Sequence, residues 1–270
     1  KCLLLTNTSS LCISDIFSGI PHIERCFGMH FFYPVKLSGF TELNVLPETK
    51  QEYISLAADL VKNFGKTPII FPERFHLCLN QVLADTVFCS IFLCDKYGVS
   101  AAELESSLNK LFPVIGIFGI LDSIGLGLIS GNSQITDKND IHRYGLSAIR
   151  KWLGMGCPQT PHAFLDFMSQ HETPTNNPCD GAKLDMAAFI LNEAVNILKN
   201  YGGDSATFMD AVCDILGTAE GLPFYYQKFG ADMLFSALDE LKNRSGFNSF
   251  EHKDKSFWDK FLSIQTHKEV

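Results

Sequence analysis

The 270-residue sequence has no CxxC pair, no histidine–cysteine cluster at metal-ligand spacing and no run of lysine and arginine. Its nine cysteines are an odd and scattered set, so neither a disulfide framework nor a zinc site is indicated, and a reducing compartment is expected. A formal net charge of −8 without a basic cluster gives no electrostatic footprint for nucleic acid or an acidic membrane surface. Neither a nucleic-acid partner nor a metal ligand set is therefore predicted.

Long hydrophobic runs are also scarce, and no charged segment followed by an apolar core opens the chain as in a secretory signal. One run, residues 111–129 (LFPVIGIFGILDSIGLGLI), carries the single charge of Asp122 over nearly the length of a membrane span. Pro113 and four glycines interrupt it, which favours a buried, glycine-kinked helical hairpin over a membrane span.

The chain begins at Lys1 rather than at methionine, as part of a longer protein would, and no targeting signal is visible. Residues 266–270 (THKEV) are not a Ser-Lys-Leu peroxisomal address.

What is present is the composition of a globular protein with a large core, 46% hydrophobic and 19% charged, over a length that suits two or three domains. Short apolar or alternating segments predict four strands, at residues 1–6, 26–33, 41–46 and 66–71. A short helix is expected at 14–20, and apolar residues at helical spacing predict another at 48–64 that ends at Gly65. Strand signals vanish from Leu77 onward, so the rest is predicted to be helical with polar loops.

The helical part contains an internal repeat. Residues 85–98 (DTVFCSIFLCDKYG) and 188–202 (AFILNEAVNILKNYG) are both apolar helices that end in Tyr-Gly. Each is followed by a small-residue N-cap, an amphipathic helix (101–111 and 205–216) and a turn with glycine and an aromatic residue. A duplicated all-α unit accounts for this economically, with 131–183 as a polar linker around one helix at 140–153.

A few polar residues near the predicted strands need an explanation. In FGMHFFYP, residues 27–34, His30 interrupts an apolar strand; taken alone it is best interpreted as a core histidine whose ring meets backbone groups. Singly, NTSS at 7–10 is a turn with an N-cap, Glu42 in TEL is the solvent side of a strand, and Asn80 in LNQ is a helix residue.

Together, NTSSL (7–11), HFFYP (30–34), TEL (41–43) and LNQ (79–81) stand in the order and register of the L-3-hydroxyacyl-CoA dehydrogenase family. Residues 116–126 (GIFGILDSIGL) are similar to the family's glycine-aromatic turn, and the second helical unit resembles the tandem copy found in multifunctional β-oxidation enzymes of the peroxisomal type or bacterial α-subunits. The resemblance is strong over 1–126, weak over 183–243 and unconvincing over 131–182.

The resemblance implies roles for five residues. His30 would be the base that takes the hydroxyl proton, oriented by Glu42, and we expect a direct hydrogen bond between the two. Ser9 and Asn80 would hold the substrate's 3-oxygen, and Asn7 would lie near the nicotinamide end of NAD. The implied function is NAD-dependent oxidation of L-3-hydroxyacyl-CoA to 3-oxoacyl-CoA in fatty acid β-oxidation.

The sequence also departs from the family. No GxGxxG follows a strand, so NAD would be bound mainly by residues not in this chain. Tyr33 stands where the family has Asn or Ser, and Gln81 stands where it has Arg. A non-catalytic descendant that binds acyl-CoA or a partner through its helical domains is therefore the alternative, and an unrelated helical interaction module is a third, less favoured one.

The fold class predicted from the resemblance is an α/β remnant, the end of a Rossmann-type domain, followed by two tandem all-α domains, mostly α overall. The expected boundaries are 1–73, 74–182 (first helical domain with linker) and 183–270 (second). The expected partners are an acyl-CoA substrate and an upstream fused hydratase/isomerase domain, with no membrane span. The expected compartment is a reducing one, peroxisomal, mitochondrial or cytoplasmic.

Overall fold

The computed structural model describes residues 2–73, 77–131, 139–201, 204–252 and 255–262. The first 72 of these form strands and short helices in the order β1 (Leu4–Thr6), α1 (Ile13–Ile16), β2 (Cys26–Phe31), β3 (Phe40–Val45), α2 (Gln51–Asn63) and β4 (Thr67–Pro72). All four predicted strands and both predicted helices are present, and Gly65 after α2 has the left-handed φ of 73° expected of its cap.

The four strands form one mixed sheet in the order β1-β2-β3-β4. β1 pairs with β2 in parallel, β2 with β3 antiparallel and β3 with β4 in parallel. In the β2–β3 register, His30 lies directly opposite Glu42, so both side chains are on one face of the sheet. This register follows from the alternation of both strands, because a slip by one residue would exchange the faces.

The two faces differ in chemistry. Phe27, Met29 and Leu43 pack against Ala57 and Val61 of α2 on one face. The other face carries Cys26 and Leu46, which pack against α1, and continues into the polar positions 30, 42 and 44. The alternating pattern of β2 and β3 therefore places the polar residues together on the face opposite α2.

From residue 78 onward the described residues form helices with one short 3₁₀ turn, at 248–250, and no further strand. The α-helices are α3 (Cys78–Tyr97), α4 (Ala101–Leu108), α5 (Ile117–Ile124), α6 (Leu126–Gly131), α7 (Asp140–Gly154), α8 (Phe164–His171), α9 (Ala182–Tyr201), α10 (Ser205–Leu216), α11 (Leu222–Phe229), α12 (Ala231–Ser245) and α13 (Lys255–Leu262). A small sheet followed by helices confirms the predicted fold class.

Contacts group the chain into two compact units, 1–81 with 196–215 and 82–195 with 216–270. In the first, α10 lies against the sheet region: Asp214 accepts hydrogen bonds from the Ser38 hydroxyl at 2.7 Å and the Gly39 amide, and Phe208 packs edge-on against Phe71. In the second, α3 and α9 are joined by Lys96, whose Nζ lies 2.7 Å from Asp185 Oδ2. The boundaries at 73 and 182 stay a prediction.

The apolar run 111–129 forms two short helices, α5 and α6, that meet at Gly125, as predicted for a glycine-kinked hairpin. Gly116 has φ of 80°, and a Cβ there would overlap the Glu105 carboxylate that accepts from the Phe118 amide at 2.9 Å. One helix among the described residues, α3, is long and apolar enough to span a bilayer, and two thirds of its apolar window is buried inside the protein.

The predicted linker was wrong in one respect. It contains α7 as expected, but also α8, while residues 132–138 lie outside the described part. Asp122 accepts hydrogen bonds from the first two amides of α8, Phe164 and Leu165, at 2.8 and 3.1 Å. Because this cap comes from a residue about 40 positions earlier, no local pattern indicated where α8 begins.

Candidate active site

The loop after β1 supplies the first two candidates, Asn7 and Ser9. The Thr8 hydroxyl accepts from the Leu11 amide at 2.9 Å and the Ser10 amide at 3.3 Å, a local turn that serine and threonine favour. Asn7 Oδ1 accepts from the Phe31 amide at 2.9 Å, which fixes this loop to the end of β2. Both candidates are exposed at the carboxyl end of β1, the end at which α/β sheets bind ligands.

His30 lies near the end of β2 and is 8% exposed. Its Nδ1 lies 3.4 Å from the Asn7 carbonyl oxygen, and its ring packs edge-on against Phe32. A carbonyl only accepts, so this contact assigns the proton to Nδ1 and leaves Nε2 as an acceptor. Burial lowers the pKa of His30, against the opposing effect of the backbone contacts, so the neutral ring is favoured at pH 7.

Asn80 links the His30 ring to the loop that follows β1. Its side-chain amide lies 3.4 Å from His30 Nε2 and donates to the Ser9 carbonyl at 3.1 Å. Asn80 is in the first turn of α3, so this helix begins beside the end of β2 that carries His30. The structure thus brings Asn7, Ser9, His30 and Asn80 together in one compact unit.

Glu42 is fully buried on β3, not on a solvent face. Its carboxylate accepts from Asn44 Nδ2 at 2.8 Å and from the first two amides of α3, Cys78 at 2.8 Å and Leu79 at 3.0 Å. Burial raises the pKa of Glu42 to about 7, and these three donors oppose that rise because they favour the charged form. The positive end of α3 acts in the same direction.

The predicted hydrogen bond between His30 and Glu42 is absent in this structure. The residues are directly opposite on one face, as expected, yet no Glu42 oxygen is within 4.0 Å of a His30 nitrogen among the described ion pairs. The physical reason is competition: both Glu42 oxygens are engaged by Asn44 and the start of α3, and His30 Nδ1 is on the Asn7 carbonyl.

Sequence reasoning did not assign a role to Asn44 or to the amides of Cys78 and Leu79. For Asn44 a signal existed, because a residue two positions after Glu42 on a strand lies on the same face. For the amides there was none, since their contact depends on how α3 meets the sheet. Among the described residues, no group of three or more histidine, cysteine or acidic side chains could hold a metal ion.

Residues 1–74 match the family described as 3-hydroxyacyl-CoA dehydrogenase, NAD binding domain. This segment is similar to the 3-hydroxyacyl-CoA dehydrogenase family, and the match covers 74 of the 270 residues. The matched segment includes β1 to β4 and, with them, Asn7, Ser9, His30 and Glu42.

Solved structures extend the likeness to the helical part. The chain is similar to 3-hydroxybutyryl-CoA dehydrogenase from Escherichia coli K12, with 14% identity, a TM-score of 0.69 and coverage of 99% of this chain and 76% of that one. It is also similar to the dehydrogenase part of multifunctional enzyme 1 from C. elegans, with 14% identity, a TM-score of 0.58 and coverage of 96% and 65%. At these identities the likeness shows the fold.

The described residues fit only part of an NAD site. A dinucleotide pyrophosphate binds at a glycine-rich turn and the N-terminus of the helix that follows a strand. Here α1, the helix after β1, has four residues, and its Ser14 amide donates to the Glu73 carboxylate at 2.6 Å. The described segments therefore present polar side chains, Asn7 and His30, at the carboxyl edge of the sheet but no pyrophosphate cradle. The contact of Asn7 with NAD stays a prediction.

Proposed function

We propose that this site performs the proton-transfer part of NAD-dependent oxidation of L-3-hydroxyacyl-CoA to 3-oxoacyl-CoA in fatty acid β-oxidation. The observation that carries the proposal is a neutral His30 whose Nε2 is an acceptor beside Asn80, at the carboxyl edge of the sheet. The match of residues 1–74 to the NAD-binding domain family supports it.

Oxidation of a secondary alcohol removes a hydride from carbon and a proton from oxygen. NAD, when bound, takes the hydride. His30 Nε2 takes the proton of the 3-hydroxyl, and the Nδ1–H of the resulting imidazolium donates to the Asn7 carbonyl. Asn80 and Ser9 orient the 3-oxygen beside Nε2, and the Glu42 carboxylate across the strand pair compensates the new positive charge.

Substitution of His30 tests the proposal. His30→Gln keeps a polar side chain of similar size but removes the titrating nitrogen, so kcat for L-3-hydroxyacyl-CoA oxidation should fall by about 10²–10⁴-fold. The assay is NADH formation in the complete protein, across short and long acyl chains, with circular dichroism to confirm folding. His171→Gln, at an exposed histidine that ends α8, is the matched control. Comparable turnover in the His30 variant would end the assignment.

A second candidate is a non-catalytic descendant that binds acyl-CoA or a partner through its helical domains. Two observations favour it: Glu42 is not hydrogen-bonded to His30, and the described residues present no pyrophosphate cradle. It predicts calorimetric binding of acyl-CoA without NADH formation from any chain length. NADH formation that depends on His30 would exclude it.

We also propose a reducing compartment, whether peroxisome, mitochondrion or cytoplasm, because none of the nine cysteines, all of which lie in the described residues, forms a disulfide. A hydratase/isomerase domain fused upstream belongs to the same proposal and rests on the likeness to the C. elegans dehydrogenase part. Sequencing of the complete transcript tests the fusion.

A further inference from the structure

Asn44 is an unusual residue for its position. It lies in the interior of β3, where asparagine is disfavoured, and it is only 3% exposed. Its cross-strand partner on β2 is Gly28, which has no side chain, so the amide finds no partner across the strand pair. It turns along its own strand instead and donates to Glu42 Oε1 at 2.8 Å. A buried amide is costly without such a bond.

We propose that Asn44 is a positioning residue for Glu42, whose carboxyl group it holds against the first turn of α3, opposite His30. The inference deepens the proposed function and rests on it for its catalytic meaning. Three donors converge on this carboxylate, two from the main chain of α3 and one from a side chain. Asn44 is the one of the three that substitution can remove without changing α3.

Among the described hydrogen bonds, the side-chain partner of Glu42 is Asn44. Across β2 the facing titratable group is His30, α3 contributes the main-chain amides of Cys78 and Leu79, and β4 places Ile69 opposite Glu42. No lysine or arginine pairs with Glu42 among the described ion pairs. Loss of the Asn44 amide therefore removes a hydrogen bond to the Glu42 carboxylate that no lysine or arginine of the described ion pairs replaces.

The test is a carboxyl titration by ¹³C NMR of the full chain labelled at glutamate, with the Glu42 signal assigned from its loss in Glu42→Gln. Asn44→Leu removes the donor at similar size, and the Glu42 midpoint should move up by about one pH unit. Asn44→Asp adds a second carboxylate at the same distance and should move it further. Asn44→Thr restores a short donor on a strand-forming residue and should return the midpoint toward its original value.

Thr41→Val is the matched control. Thr41 is buried on the same strand but on the opposite face, and its hydroxyl has no hydrogen-bond partner among the described residues. The substitution perturbs β3 packing to a similar degree without touching Glu42, so the Glu42 midpoint should not move. An equal shift in Thr41→Val and Asn44→Leu would show a packing effect and overturn the inference, as would an unchanged midpoint in Asn44→Leu and Asn44→Asp.

A second measurement links the residue to catalysis. In the active protein, the pH profile of kcat for Asn44→Leu should shift to higher pH, and this effect should vanish in the Glu42→Gln background. Persistence of the shift in that background would contradict action through Glu42. The NMR titration needs no substrate, so a moved midpoint in a protein that oxidises no hydroxyacyl-CoA would refute the proposed function and leave the Asn44–Glu42 relation standing.

Discussion

At the scale of one residue, ionisation of the buried Glu42 carboxyl group lowers the stability of the fold. Its pKa in the folded protein is about 7, against an ordinary value of 4.5, so between these values the unfolded chain loses the proton first. The free energy of unfolding should therefore fall as pH rises through this window and level off above about pH 7. The total effect is roughly 3 kcal/mol, from about 1.4 kcal/mol per unit of pKa.

Glu42→Gln should remove this dependence, because glutamine fills the same space without titrating. We expect the stability difference, variant minus wild type, to grow by roughly 3 kcal/mol from pH 4.5 to pH 8 in urea unfolding. Glu52→Gln, at an exposed glutamate in the first turn of α2, is the control and should show no such growth. Parallel stability curves for Glu42→Gln and wild type would contradict the assignment of a raised pKa.

At the scale of elements, the approach of α7 to α3 depends on a glycine. A Cβ at Gly145 of α7 would overlap the ring of Phe88 in α3. The ring also packs edge-on against His142, one turn earlier in α7, at a centroid distance of 5.0 Å. A methyl group at 145 must therefore displace a buried ring or separate the two helices.

Two Gly→Ala substitutions in α7 form a matched pair. Gly145→Ala should lower the free energy of unfolding by about 1–3 kcal/mol through overpacking. Gly154→Ala, in the same helix with nothing within 4 Å of the new methyl, should leave it unchanged or raise it by up to about 1 kcal/mol. The measurement is chemical unfolding of both variants, and equal effects at the two positions would show that close helix approach is not what Gly145 provides.

The strands and helices differ in how far local pattern could predict them. β2 and β3 were predicted as strands, and the register confirms the expectation that His30 and Glu42 share one face of the sheet. The partners of Glu42 were not predicted, because they depend on how the start of α3, at Cys78, meets the sheet. In the same way, α8 was not predicted, because Asp122, a residue distant in the sequence, caps this helix. Contacts between separate elements are what periodicity cannot encode.

At the scale of the whole molecule, the repeat seen in the sequence is carried by two helices of 20 residues, α3 and α9. Aligning them on their Tyr-Gly ends places residues 87–91 against 191–195, and all ten are buried. Helices that are apolar and buried all round belong to a core. The helices that follow, α4 and α10, are amphipathic and partly exposed.

If the two stretches descend from one unit, their cooperative opening should follow the same order in both. Hydrogen exchange monitored by mass spectrometry should find the amides of 87–91 and 191–195 among the slowest of the helical part, with α4 and α10 faster in each case. Rates are compared after correction for intrinsic exchange, so that sequence differences between the copies do not count. Slow exchange in 87–91 together with fast exchange in 191–195 would contradict the repeat as a structural unit. The second stretch would then lack the protected core position of the first.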